Sequence, residues 1–154
     1  MKRAHVLLVA LVMSAVLTPS PAAAEGPSIA NGGGRGTVDG INPFSQFGFV
    51  VTRGADGSVR GGFNCLMAGA SEFPGFDLMA VRGQVQSVVV SGSTATFQGA
   101  GMFQTGNQGK SPATFAVVVT EGGPGVGTLQ LTLLTPFLFV LPTETVLNGE
   151  ISIH

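Results

Sequence analysis

The side chains able to do chemistry in this chain are few, and their spacing limits what they can do. There are two histidines, His5 and His154, one cysteine, Cys65, and no Tyr or Trp. A nucleophilic triad needs a base to take the nucleophile's proton. Beyond the first 24 residues the one candidate base is the terminal His154, a position that argues against catalysis. Zinc sites draw on several Cys or His ligands, and that stretch holds one of each. Carboxylates remain, and two of them in a cleft are the minimum for glycoside hydrolysis. Asp56 and Glu121 each fall near a predicted turn, while Glu72 and Asp77 flank Phe73-Pro74-Gly75-Phe76, where two acids on one loop suit calcium or a sugar hydroxyl. The alternating acids of a calcium loop are absent, and solubility is the simpler role for surface acids. Gly109-Lys110-Ser111 has the ending of a phosphate loop, but position 104, where a glycine is required, is Gln104, and the segment joins two strands. Cys65 alternates with Phe63 on an apolar face, as a core thiol does. The residues therefore point to no catalytic group, no metal and no cofactor.

The elements around these residues begin with a leader. Lys2 and Arg3 precede an apolar run from Ala4 to Leu17, and Ala22-Ala23-Ala24 offers a cleavage site. This is the layout of a secretory signal peptide over 1–24, and the run is shorter than the ~20 residues of a membrane span. With Glu25 as the first mature residue, five basic and eight acidic residues remain, a net charge of −3. Arg35, Arg53, Arg60, Arg82 and Lys110 are scattered along the sequence. No basic patch is expected from that spacing, which argues against nucleic acid as a partner. A single cysteine excludes an internal disulfide, so an exported chain relies on its core. The remaining length suits one domain, read as a flexible glycine-rich segment over 25–34 and one β domain over 35–154.

Period-two alternation recurs through that domain. Phe47, Phe49 and Val51 share a face, as do Val59, Phe63 and Cys65. Met79, Val81, Val85 and Val89 follow, then Phe97 and Phe103, then Phe115, Val117 and Val119. Leu129, Leu131 and Leu133 precede a last set of Leu147, Ile151 and Ile153. Turns are expected at Ala55-Asp56-Gly57, Ser91-Gly92-Ser93, Gly106-Asn107-Gln108-Gly109 and Gly122-Gly123-Pro124-Gly125. The expected strands are 35–40, 44–53, 58–67, 77–90, 94–104, 112–121, 127–135 and 145–153. Eight antiparallel strands in a meander can bring the last beside the first and remove both edges. The fold class is all-β, with a closed or nearly closed barrel preferred and a two-sheet sandwich as the alternative. Gly61, Gly83, Gly99 and Gly101 are expected where a side chain would crowd a small barrel.

A resemblance follows from particular motifs. Gly32-Gly33-Gly34, Val59-Arg60-Gly61 with Asn64, and Gly92-Ser93-Thr94-Ala95-Thr96-Phe97 with Gly99 lead to Thr114-Phe115-Ala116-Val117. Gly123-Pro124-Gly125 with Gly127 and the terminal Gly149-Glu150-Ile151-Ser152-Ile153-His154 complete the set. Over residues 33–154 the chain resembles the post-COAP domain family of small glycine-rich β modules from secreted bacterial proteins. The resemblance implies an exported, mostly β module and no activity. Two departures stand out. Such modules often carry an Asp-Asn-Gly-Glu-Pro-Gly type turn where this chain has Thr120 to Gly125, and a polar, glycine-rich segment where this chain has Pro136-Phe137-Leu138-Phe139-Val140-Leu141-Pro142.

That apolar run and the Phe73/Phe76 loop exceed what a core needs. Phe137, Leu138, Phe139, Phe73 and Phe76 are therefore the candidate partner contacts. The expected function is that of a secreted, non-enzymatic β module, structural or binding to other macromolecules, whose specific role the sequence does not name. The alternatives are a carrier of a small apolar ligand in the barrel mouth and an outer-membrane barrel. Against membrane contact stands the absence of the Tyr and Trp girdles such barrels carry.

Overall fold

The computed structural model describes residues 28–67, 72–73, 76–106 and 108–154. The expected leader, Glu25 and the Pro74-Gly75 pair lie outside the described residues. Every element is a strand. In chain order they are β1 (Ser28–Thr37), β2 (Ser45–Arg53), β3 (Val59–Leu66), β4 (Glu72–Phe73), β5 (Phe76–Ser91), β6 (Thr94–Thr105), β7 (Gly109–Thr120), β8 (Thr128–Thr135), β9 (Phe139–Val140) and β10 (Glu144–Ile153).

The pairing is antiparallel throughout, and its order is β10-β1-β2-β3-β5-β6-β7-β8-β9, with β4 beside β5. A further β8–β10 pairing closes a ring of hydrogen bonds through eight strands. The ring is barrel-like but irregular. First and last strands lie side by side as expected, in a ladder from Ala30↔Ile153 to Thr37↔Thr145. The first strand begins well before position 35. Residues 28–34, read from sequence as part of a flexible segment, are held between β2 and β10. Glycine richness was mistaken for looseness; here it lets backbones approach, since a Cβ on Gly32 would lie 2.8 Å from the Phe49 ring.

The inner face is apolar because alternation delivers it. Phe47, Phe49, Val51, Phe63, Cys65, Val81, Val85, Phe97, Phe103, Phe115, Val117, Val119, Leu129, Leu131 and Leu133 are all buried. Rings meet across the interior, with Phe49 and Phe97 5.2 Å apart, Phe63 and Phe97 5.8 Å, and Phe63 and Phe115 5.2 Å. These are favourable offset or edge contacts. The Phe115 ring reaches over Gly83 and Gly99, where added Cβ atoms would each come within 2.6 Å of it. The expectation that these glycines make room in a small interior holds.

Alternation is broken at several bulges, two of which move residues expected in the core. The β5–β6 register shifts between Val85 and Ser87, so Val88 is buried and Val89 is 69% exposed. The expected inward Val89 is thus corrected. The β1–β10 register shifts at Arg35/Gly36, so Val146 is buried in place of Leu147, which is half-buried. One inserted residue reverses the facing of all that follow.

The two ends of the ring differ. One end carries tight turns, such as 54–57, where Asp56 Oδ1 accepts from Ser58 N at 3.0 Å and Ser58 Oγ at 2.6 Å. Gly57 there has φ +81, a value glycine adopts at no steric cost. The other end carries the 38–44 connection, the β4 hairpin and the β8–β9 turn. Asp39 organises the first of these, accepting from Thr37 Oγ1 at 2.9 Å, Ile41 N at 2.8 Å and Asn42 N at 2.7 Å.

Candidate functional site

The expected partner contacts all lie at the loop end. Phe137 is 41% exposed and Leu138 71%. Phe139 is half-buried against the core, and Leu141 is fully buried. The run is therefore divided: Phe137 packs edge-on to Phe103 at 5.8 Å, Leu138 and Val140 face outward, and β9 extends the sheet through Thr132↔Val140 and Leu133↔Phe139. Phe73 and Phe76 pair directly in the β4–β5 hairpin; of these two the backbone alone is described. The fold brings both segments to one end of the ring.

A buried polar cluster escaped the sequence reading. Glu144 opens β10, faces inward and is 1% exposed. The Ser45 hydroxyl donates to Glu144 Oε2 in a short contact. Ser45, Thr37 and Cys65 are buried with it, and Gly36 leaves the space it occupies, since a Cβ there would come within 2.9 Å of the Glu144 side chain. Burial pushes the Glu144 carboxyl up to about 7, with the Ser45 hydrogen bond opposing. Burial, then the nearby carboxylate, push the Cys65 thiol up to about 12, so it stays protonated and unreactive. A carboxyl this enclosed touches no substrate in this conformation. The pattern that could have exposed it is local: Glu144 holds the same parity as the buried Val146.

Glu144 also sits at the weakest junction of the ring. β8 meets β10 through only Glu144↔Leu129 and Thr145↔Thr128. Pro142, which has no N–H to give a ladder, separates β9 from β10. The glycine connection 122–127 extends the junction: Val146 N donates to Gly127 O at 2.8 Å, Gly125 N to Val146 O at 2.9 Å, and Gly122 and Ile151 exchange two bonds at 3.0 Å. The expected simple turn at Gly122 to Gly125 is thus a strap along β10.

Of the two carboxylate pairs named from sequence, the first is split between separate turns, and of the second the backbone alone is described. Asp56 lies in the β2–β3 turn, and Glu121 follows β7. Glu72 and Asp77 are cross-strand partners in the β4–β5 hairpin backbone. Among the described residues no group of three or more His, Cys, Asp or Glu is placed to hold a metal ion. His154 follows β10, its Nε2 3.5 Å from Asn31 Nδ2.

A broad, shallow concavity lies on the outside. A groove of ≈ 890 Å³ crosses β2, β3, β5 and β6. Gly48, Gly62, Gly83 and Gly101 floor it, and Asn64, Arg82, Gln84, Val50 and Met102 line it. It continues past Gln84 toward Arg60 at one end and past Met102 toward Gln104 and Lys110 at the other. Three cations scattered in the sequence, Arg60, Arg82 and Lys110, thus line the same wall. Register explains it: Asn64↔Arg82, Arg82↔Met102 and Gln104↔Lys110 stack residues from four strands. No protein-family model, no curated protein and no solved structure matches the chain.

Proposed function

We propose that this chain is an exported, non-catalytic β module that binds an extended macromolecule along its outer wall. The groove across β2, β3, β5 and β6 carries this reading. It is open, runs over several strands and mixes amide and guanidinium groups with bare glycine backbone, Val50 and Met102, which suits a long chain with both polar groups and apolar faces better than a small apolar molecule. The leader motif supports export, and the likeness to the post-COAP modules supports a secreted β module without catalysis.

Two features favour this over the alternatives. Phenylalanine rings occupy the middle of the ring, which leaves an apolar carrier without its usual place. The phenylalanines of the central strands face in, and Gln46, Asn64, Arg82, Gln84 and Gln98 interrupt the outer face between exposed Val50, Leu66, Met102 and Val118, where a membrane barrel carries an unbroken apolar band. The test compares the mature protein with Gly62→Trp, which fills the groove at a position where an added Cβ meets nothing within 4 Å. Wild type sediments with insoluble envelope and matrix polymers of the producing organism, and the variant sediments about tenfold less. Equal sedimentation, or saturable uptake of a fluorescent fatty acid by the wild type, overturns the reading.

A further inference from the structure

Resting on that outer-wall reading, we infer that the groove is a binding track for an acidic polysaccharide, with Arg60, Arg82 and Lys110 as its anion contacts. All three are exposed and line three adjoining depressions that share Gly62 and Gln84 on one side and Arg82 and Met102 on the other. Arg82 lies on β5; Lys110 is two strands away and two residues nearer the loop end, while Arg60 is one strand away and four residues nearer the turn end. With strands ~4.8 Å apart and ~3.4 Å rise per residue, the cations lie on a diagonal at intervals of roughly 12 and 14 Å. Among the described residues no Asp or Glu lines this track, although the mature chain is acidic overall. The five basic residues of that chain are thus unevenly placed, three of them on one wall.

The rest of the lining selects the class of polymer. Asn64, Gln84 and Gln104 offer amide donors and acceptors between the cations, the groups that read hydroxyls. The glycine floor lets a flat ring approach the backbone closely. Phe49 and Phe63 lie beneath the floor, 7% and 2% exposed, so no aromatic platform is presented for stacking a base or a neutral sugar. From Gly62 to Leu66 on β3 and from Ala80 to Gln84 on β5 the strands are paired with each other as well as with their outer neighbours, so the middle of the track offers no free edge to an extended peptide. A chain of carboxylated sugars answers all four features: spaced negative charge, hydroxyls, thin rings and no need for stacking.

The test is affinity electrophoresis of the mature protein with polygalacturonate, laminarin as the neutral glucan, and poly(dT), at low and high salt. Polygalacturonate should retard the protein at low salt, less so at high salt, with laminarin and poly(dT) giving little retardation. Arg82→Gln should weaken binding about 5-fold, and the Arg60→Gln/Arg82→Gln/Lys110→Gln triple variant on the order of 100-fold. No retardation by polygalacturonate, equal retardation by laminarin, a stronger response to poly(dT), or an unaffected triple variant overturns the inference. Gly62→Trp separates the two readings. If it abolishes laminarin binding that the triple variant retains, the wall still binds polymers and only the acidic class falls. If neither variant changes binding of any polymer, both fall.

Discussion

The β5–β6–β7 wall and the β8–β10 junction are made from the same alternating pattern and end in opposite states. All twelve residues of β6 have a partner on β7, and the wall's inner face is Phe, Val and Ala. The junction has two pairs in β8–β10, two in β8–β9 and a glycine strap, and a carboxyl lies beneath it. The wall is where side chains stand at fixed register and can present a groove. The junction is where the ring is least paired and where a charge is most costly. Closing a ring concentrates its irregularity in one place, because the last hairpin must absorb the stagger left by the others.

The largest effect that would break this contrast is at the wall. Phe97→Ala should cost about 3–5 kcal/mol in denaturant unfolding, because its ring bridges Phe49 and Phe63. A cost near 1 kcal/mol would mean that the interior is loosely filled. Gly99→Val should destabilise by about 3 kcal/mol, since its Cβ meets both the Phe115 ring and the facing backbone. A neutral result would show that β5 and β6 lie farther apart.

At the junction the sharper probe is pH. The Glu144 carboxyl, near 7 when folded against 4.5 as a free group, binds more protons folded than unfolded between those values. Its contribution is fully present below about pH 4.5 and is lost as pH rises through about 7, a change on the order of 3 kcal/mol. The Tm should therefore fall from pH 5 to pH 8 in the wild type. In Glu144→Gln that slope should vanish, leaving the variant more stable at pH 8. An equally steep slope in the variant would remove Glu144 from the account. Asp39 and Asp56 act in the opposite sense. Hydrogen bonds hold both carboxyls below the usual range, so their contribution is lost as pH falls below about 4.

Hydrogen exchange compares the two regions directly. Amides of Thr145 and Val146 should exchange at a free energy at least ~1 kcal/mol below those of Phe97 and Val117; equal protection would mean that the ring opens as one unit. The smallest effect is expected at the loop end, where Leu138→Ser should alter stability by less than ~0.5 kcal/mol, because Leu138 is 71% exposed. A larger loss would mean that Leu138 is covered in solution.

How far the sequence could be read differs from element to element. The runs Phe47-Phe49-Val51 and Phe115-Val117-Val119 declare both strand and facing, and both are found as expected. Val89 and Leu147 were misplaced because a bulge inverts parity without any change in composition. Ser28 to Gly34 was misread because glycine in a paired strand and glycine in a loose tail look alike until a partner is known. The groove was invisible because its lining residues come from separate strands of the sheet.

By itself the sequence determined the all-β class, the meander, the meeting of first and last strands and a phenylalanine-rich interior. Those follow from period-two alternation and glycine turns, which are local properties of the chain. Tertiary structure alone decided that Glu144 is the buried acid, that Ser45, 99 positions away, is its partner, and that Arg60, Arg82 and Lys110 share a wall. Pairing register and ring closure set these, and both depend on contacts between residues far apart in the chain.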